Sequence, residues 1–127
     1  MASTPSYAST PRFGRAAIST ADTSRTAPSS VGTVLSAAAA GTVLERVVLQ
    51  ATGTTTAGML RLFVHDGTNY SLIKEVEVQA ITPSASIKAW AVEIDMDGIV
   101  LPTGHSLRAT THNAEAFTVS AFGADLT

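Results

Sequence analysis

The chain of 127 residues has no cysteine. Disulfides, thiolate metal sites and a cysteine nucleophile are therefore excluded from any account of it. It also lacks a run of about twenty apolar residues, so no membrane-spanning helix and no membrane partner are expected. The opening "MASTPSYASTPRF" is polar and broken by proline, without the basic start and apolar run of a secretory leader, so Sec-type export through it is not expected. Charge is sparse as well. The net charge is -2 and no block of like charges occurs, which argues against nucleic acid as a partner. There is no G-x-S-x-G, no phosphate-binding loop and no dinucleotide fingerprint, so no cofactor is expected and a non-enzymatic protein is.

What is present divides in two. Residues 1–30 are rich in Ser, Thr, Ala and Pro, with prolines at 5, 11 and 28 and Ile18 as almost their only large aliphatic side chain. Such a segment buries too little apolar surface to offset its ordering entropy alone, so it is expected to be an extended N-terminal arm. The arm carries Arg12, Arg15 and Arg25 against Asp22, a net of +2; with -2 for the whole chain, residues 31–127 carry -4. A short repeat lies inside it: "ASTPSY" from Ala2 to Tyr7, then "ASTPRF" from Ala8 to Phe13. In polyproline-like geometry of about 3.1 Å per residue, the two rings would stand roughly 19 Å apart, a spacing suited to two pockets on a partner. Tyr7 and Phe13 are thus the expected anchors, with Arg12, Arg15 and Arg25 pairing with acidic groups on that partner.

From residue 31 the apolar period is two, punctuated by turn residues. "TVLERVVLQA" places Val43, Val47 and Leu49 on one face and Leu44 and Val48 on the other; "GMLRLFV" turns Leu60, Leu62 and Val64 inward. "NYSLIKEVEV" sets Tyr70, Leu72, Val76 and Val78 against Ser71, Glu75 and Glu77, and "SIKAWAVEIDM" sets Trp90, Val92, Ile94 and Met96 against Glu93 and Asp95. "HSLRATT" and "AFTVSAF" follow, a weaker strand lies at "VGTVLS", and "GIVL" could be an eighth. Only "SAAAAG" favours helix, and it is too short to stand alone. Seven to eight short strands without a helical period point to an all-β, antiparallel β-sandwich over residues 31–127, jelly-roll-like in style, with pairing order not readable from the pattern.

Candidate chemistry is thin. In "HDGTN", Asp66, Gly67 and Asn69 are what a hairpin turn requires, which leaves His65 as the last residue of a strand. His105 and His112 lie seven apart and face opposite sides of a strand, so they cannot ligate one metal together, and no metal site is expected. "DMDG", Asp95 to Gly98, lacks the rest of a calcium loop and fits a turn. The Glu75/Glu77 and Glu93/Asp95 pairs each share one strand face, where a solvated surface explains them better than a glycosidase dyad does. Tyr70 and Trp90 could serve as stacking platforms for a sugar, although the phase of Trp90 with Val92 and Ile94 favours the core.

Several phrases carry a resemblance. "ATGTTTAGMLRLFVHDGTNY", "AITPSAS" and "LPTGHSLRATTHNAEAFTVSAFGADL", within residues 43–126, together with "TPRFG" in the arm, resemble a group of small proteins found among the structural genes of tailed bacteriophages. In that setting a small β-sandwich with an arm is similar to capsid decoration, or cement, proteins. The resemblance implies a virion component on the outer surface of the capsid, bound to the major capsid protein and trimeric. A tail, fibre or baseplate component and a carbohydrate-binding module are the alternatives.

Overall fold

Alternation of apolar and polar side chains is realised in eight strands of a computed structural model, which describes residues 8–126. They are β1 (Ala8–Ile18), β2 (Gly32–Ser36), β3 (Thr42–Ala51), β4 (Gly58–His65), β5 (Tyr70–Val78), β6 (Ala91–Leu101), β7 (Ser106–Thr111) and β8 (Phe117–Leu126). No helix occurs among the described residues. The "SAAAAG" stretch is a turn, closed by a bond from the Gly41 amide to the Ala38 carbonyl of 2.9 Å, with Gly41 at φ 96°, where only glycine is at ease.

The strands form two four-stranded antiparallel sheets, ordered β1-β8-β3-β6 (sheet A) and β2-β7-β4-β5 (sheet B). The order is nested: the first strand lies beside the last, the second beside the seventh, the third beside the sixth and the fourth beside the fifth. Between the sheets lies one apolar core. Sheet A contributes Leu44, Val47, Leu49, Phe117, Val119 and Ala121, and sheet B contributes Leu60, Leu62, Leu107 and Ala109, all nearly inaccessible to solvent. Trp90, just before β6, is 4 % exposed and meets Phe117 edge-on at 5.8 Å, as its phase implies.

Several expectations are corrected by the ladders. The segment 8–18, placed in the arm, is strand β1, paired with β8 from Ala8↔Leu126 to Ile18↔Phe117 with a register shift between Ala8 and Thr10. Its low apolar content is offset by a full backbone ladder and by small residues that admit close approach, with Ala16 and Ile18 reaching the core. Pro11 is tolerated because β1 is an edge strand. "GIVL" is not a separate strand but the end of β6, and "DMDG" is not a turn between strands but a bulge within β6, where Asp97 (φ 55°) and Gly98 (φ 71°) adopt left-handed backbone. Opposite it, the register of β3 shifts between Leu44 and Arg46, so Leu44 joins Val47 and Leu49 inside rather than facing away from them. A shift in the β4–β5 ladder beside Ile73 does the same to β5. Tyr70 and Leu72 pair with His65 and Phe63 on the outer face, while Val76 and Val78 point inward.

Candidate interaction surface

Cross-strand register defines the outer face of sheet A row by row. Phe13, Phe122, Arg46 and Asp95 form one row; Arg15, Ser120, Val48 and Glu93 the next; Ala17, Thr118, Gln50 and Ala91 the third. Beyond the bulge, Pro11, Ala124, Val43 and Val100 continue it. Most of these side chains are apolar or small, unusual for a sheet face without a layer over it. Phe13 is 58 % exposed and Val100 50 % exposed. The Phe13 ring leans on Phe122 at 5.2 Å between centroids, and the Arg46 guanidinium covers Phe122 at 4.6 Å while reaching Glu93 at 3.2 Å. Arg15 is exposed and has no ion-pair partner among the described residues.

The other arginines expected to meet a partner are engaged within the chain. Arg12 donates to both Asp125 carboxylate oxygens, at 2.9 and 3.2 Å, and to the Ser36 carbonyl at 3.1 Å. The same Asp125 accepts from the Thr42 hydroxyl at 2.8 Å, so this cluster ties β1, β2, β3 and β8 together at one end of the sandwich. Arg25 lies in the β1–β2 connection and donates to Glu75 at 2.7 Å. Tyr7 lies outside the described residues.

The outer face of sheet B holds a second cluster. Arg61, 2 % exposed, donates through Nε to Glu75 at 2.9 Å, and its Nη1 lies 3.4 Å from His112 Nδ1. Hydrogen bonds from Arg25 and Arg61 hold the Glu75 carboxyl below its ordinary value. Next to it, Thr110 is fully buried and its hydroxyl oxygen has no partner among the described residues. The β1–β2 connection reaches this face through Asp22, whose amide donates to the Thr111 carbonyl at 2.8 Å. The Asp22 carboxylate in turn accepts the Ser24, Ser29 and Ser30 amides at 3.0, 2.7 and 2.8 Å. Burial acts to raise the Asp22 carboxyl, but the amides of Ser30, Ser24 and Ser29 outweigh it and the net shift is downward.

The remaining candidates are dispersed. Asp66 accepts the Thr68 and Asn69 amides at 2.9 and 2.7 Å and Gly67 sits at φ 99°, so "HDGTN" is a turn. His65 packs on Tyr70 at 4.4 Å; Phe63 meets Tyr70 edge-on at 5.8 Å, and Arg108 covers the same ring at 5.6 Å while donating to its hydroxyl at 2.9 Å. The half-buried Tyr70 ring is thus bordered by His65, Phe63 and Arg108, whereas Trp90 is buried and presents no free platform for a sugar. No group of three His, Asp or Glu side chains able to hold a metal occurs among the described residues.

Sequence reasoning singled out Phe13 and Arg15 as partner contacts but not Phe122, Arg46 and Val48, which the structure places beside them. A strand pattern gives the face of each residue, and only strand order brings β1, β8 and β3 side by side. Comparison with protein-family models and with curated proteins finds no match to this chain.

Proposed function

We propose that the protein is a non-enzymatic capsid decoration protein, which binds and stabilises a lattice of major capsid protein through its body and the residues preceding β1. The observation that carries this reading is the outer face of sheet A, on which apolar and small side chains predominate, with Phe13 at its edge and 58 % exposed. A contiguous exposed surface of this kind, unlike a single exposed apolar side chain, is characteristic of an interaction site. The nested strand order, which we take as a jelly roll, supplies a rigid two-sheet platform for that face. The phage-like phrases in the sequence supply the setting.

The role is physical. A shell accessory gains avidity when a compact body and a short extension bind at two places, because the second contact is then intramolecular. The repeat unit Ala2–Tyr7 directly precedes β1 in the sequence.

The test is quantitative mass spectrometry of purified virions, counting copies of this chain against the major capsid protein. A ratio near one, or a simple fraction fixed by lattice symmetry, is the expected result. A few to a few dozen copies would move the protein to the tail, fibre or baseplate, and absence from virions would overturn the reading.

A further inference from the structure

The sequence contains the dipeptide Asp-Gly twice, at Asp66-Gly67 and Asp97-Gly98, and Asn-Gly nowhere. An aspartyl residue before glycine is the pairing most open to attack by the following amide nitrogen on the side-chain carboxyl, because glycine has no Cβ to shield that nitrogen. The fold treats the two copies differently.

Asp66 is held against this reaction. Its Oδ1 accepts the Asn69 and Thr68 amides at 2.7 and 2.9 Å, and its own amide donates to the Asn69 carbonyl at 3.2 Å. The Gly67 amide, which would be the attacking group, donates to His65 Nδ1 at 3.2 Å. The Asn69 and Thr68 amides also hold the Asp66 carboxyl below its ordinary value, in the ionised form that is the poorer electrophile.

Asp97 has none of these restraints. It is exposed, and its carboxylate enters no hydrogen bond or ion pair among the described residues; its amide donates to Asp95 Oδ1 at 2.8 Å. The β3–β6 ladder passes from Arg46↔Asp95 to Leu44↔Ile99, which leaves Met96, Asp97 and Gly98 without a partner in register. Since β6 is an edge strand, no strand lies on its other side. Asp97 is also the only non-glycine residue among those described with positive φ, at 55°, and Gly98 follows at 71°. Such backbone persists only where its surroundings impose it, and a bulge at a sheet edge imposes little.

We propose that Asp97-Gly98 is a site of spontaneous isoaspartate formation in the folded protein. The Gly98 nitrogen bonds to Asp97 Cγ, and the carboxyl hydroxyl leaves as water with the amide proton, closing a five-membered succinimide. Water then opens the ring. Cleavage of the Cγ–N bond restores aspartate, whereas cleavage between the α-carbonyl carbon and nitrogen leaves isoaspartate. One water departs and one returns, so the mass is unchanged and no co-reactant is consumed. The product has one more backbone atom between residues 97 and 98 and no longer needs the left-handed conformation. Val100, which pairs with Val43 in the last row of the candidate surface, lies just beyond, so the modification re-aims the end of β6 and ages the rim of that surface.

This inference rests on the fold and not on the virion role, and the test is made on the purified full chain. The protein is kept for about four weeks at roughly 37 °C and about pH 6 in water labelled with heavy oxygen. Tryptic peptides Leu62–Lys74 and Ala89–Arg108 separate the two sites. Each ring opening leaves one heavy oxygen, and electron-transfer fragmentation places the isoaspartate within the peptide. At least fivefold more isoaspartate is expected at residue 97 than at residue 66 in the folded chain, and comparable amounts at both in guanidinium chloride. Asp97→Asn suits left-handed backbone and carries the better leaving group, so it should raise formation at least tenfold with the circular dichroism spectrum unchanged. Three results would each overturn the proposal: as much isoaspartate at residue 66 as at residue 97, an unmodified residue 97 in the folded chain, or an Asn variant that reacts no faster. None of them would touch the proposed function.

Discussion

A Cβ placed on Gly14 would collide with the carbonyl oxygen of Val34, so β1 and β2 meet almost backbone to backbone where the two sheets close. No side chain fits there. Gly14→Ala should force β1 away from β2 and destabilise the fold by about 1–3 kcal/mol, the usual cost of overpacking, as measured by urea denaturation. An unchanged midpoint would mean that the two strands do not approach this closely.

The position of β1 also governs truncation. Removing residues 1–7 should leave the folded body and its melting temperature intact. Removing 1–30 takes away β1, exposes the edge of β8 and uncovers the core beside Val34 and Leu35, so this variant should aggregate or lose cooperative unfolding. A cooperative transition in the longer truncation would return the whole segment to the status of an arm.

Thr110 offers a gain. Its hydroxyl is buried with no partner among the described residues, so Thr110→Val, nearly equal in shape, relieves a desolvated oxygen. Stabilisation of about 1 kcal/mol is expected in the same denaturant assay. A loss of stability instead would reveal a buried water or ligand bonded to that oxygen.

Acid should loosen the β1–β2 connection. The Asp22 carboxyl is held below its ordinary value of 3.8, so the charged form favours the folded connection. That contribution is complete above pH 3.8 and is lost as pH falls through the lower folded value. Amide exchange of Ser24, Ser29 and Ser30, normalised for intrinsic rates, should therefore quicken below pH 4 in the parent. In Asp22→Asn it should already be fast at neutral pH.

Trp90 provides a check on the sugar-binding alternative. Buried against Phe117, it should emit at short wavelength and respond to no glycan, and Trp90→Ala should cost about 3–5 kcal/mol. A red-shifted emission that sugars quench would restore Trp90 as a platform.

Composition and period were enough for the all-β class, for the inward phase of Leu60, Leu62 and Trp90, and for the turn at Asp66 and Gly67. These are local properties: a two-residue repeat and the backbone tolerance of Gly and Asp are written residue by residue. The phase of Leu44 and of Tyr70 was not legible, because a bulge adds one residue to a strand and turns every later side chain over. Its presence depends on the partner strand. The place of β1 was hidden for a related reason: a segment poor in apolar residues becomes a strand only when β8 offers it a ladder. The candidate surface is still more a product of assembly. Phe13, Phe122, Arg46 and Glu93 are scattered over some 110 residues of sequence and share a face only because the nested pairing puts the first strand beside the last. Sequence determined what each strand could bury. The tertiary structure decided which strands lie together and which apolar face was left uncovered, since pairing depends on hydrogen bonds and packing between residues far apart along the chain.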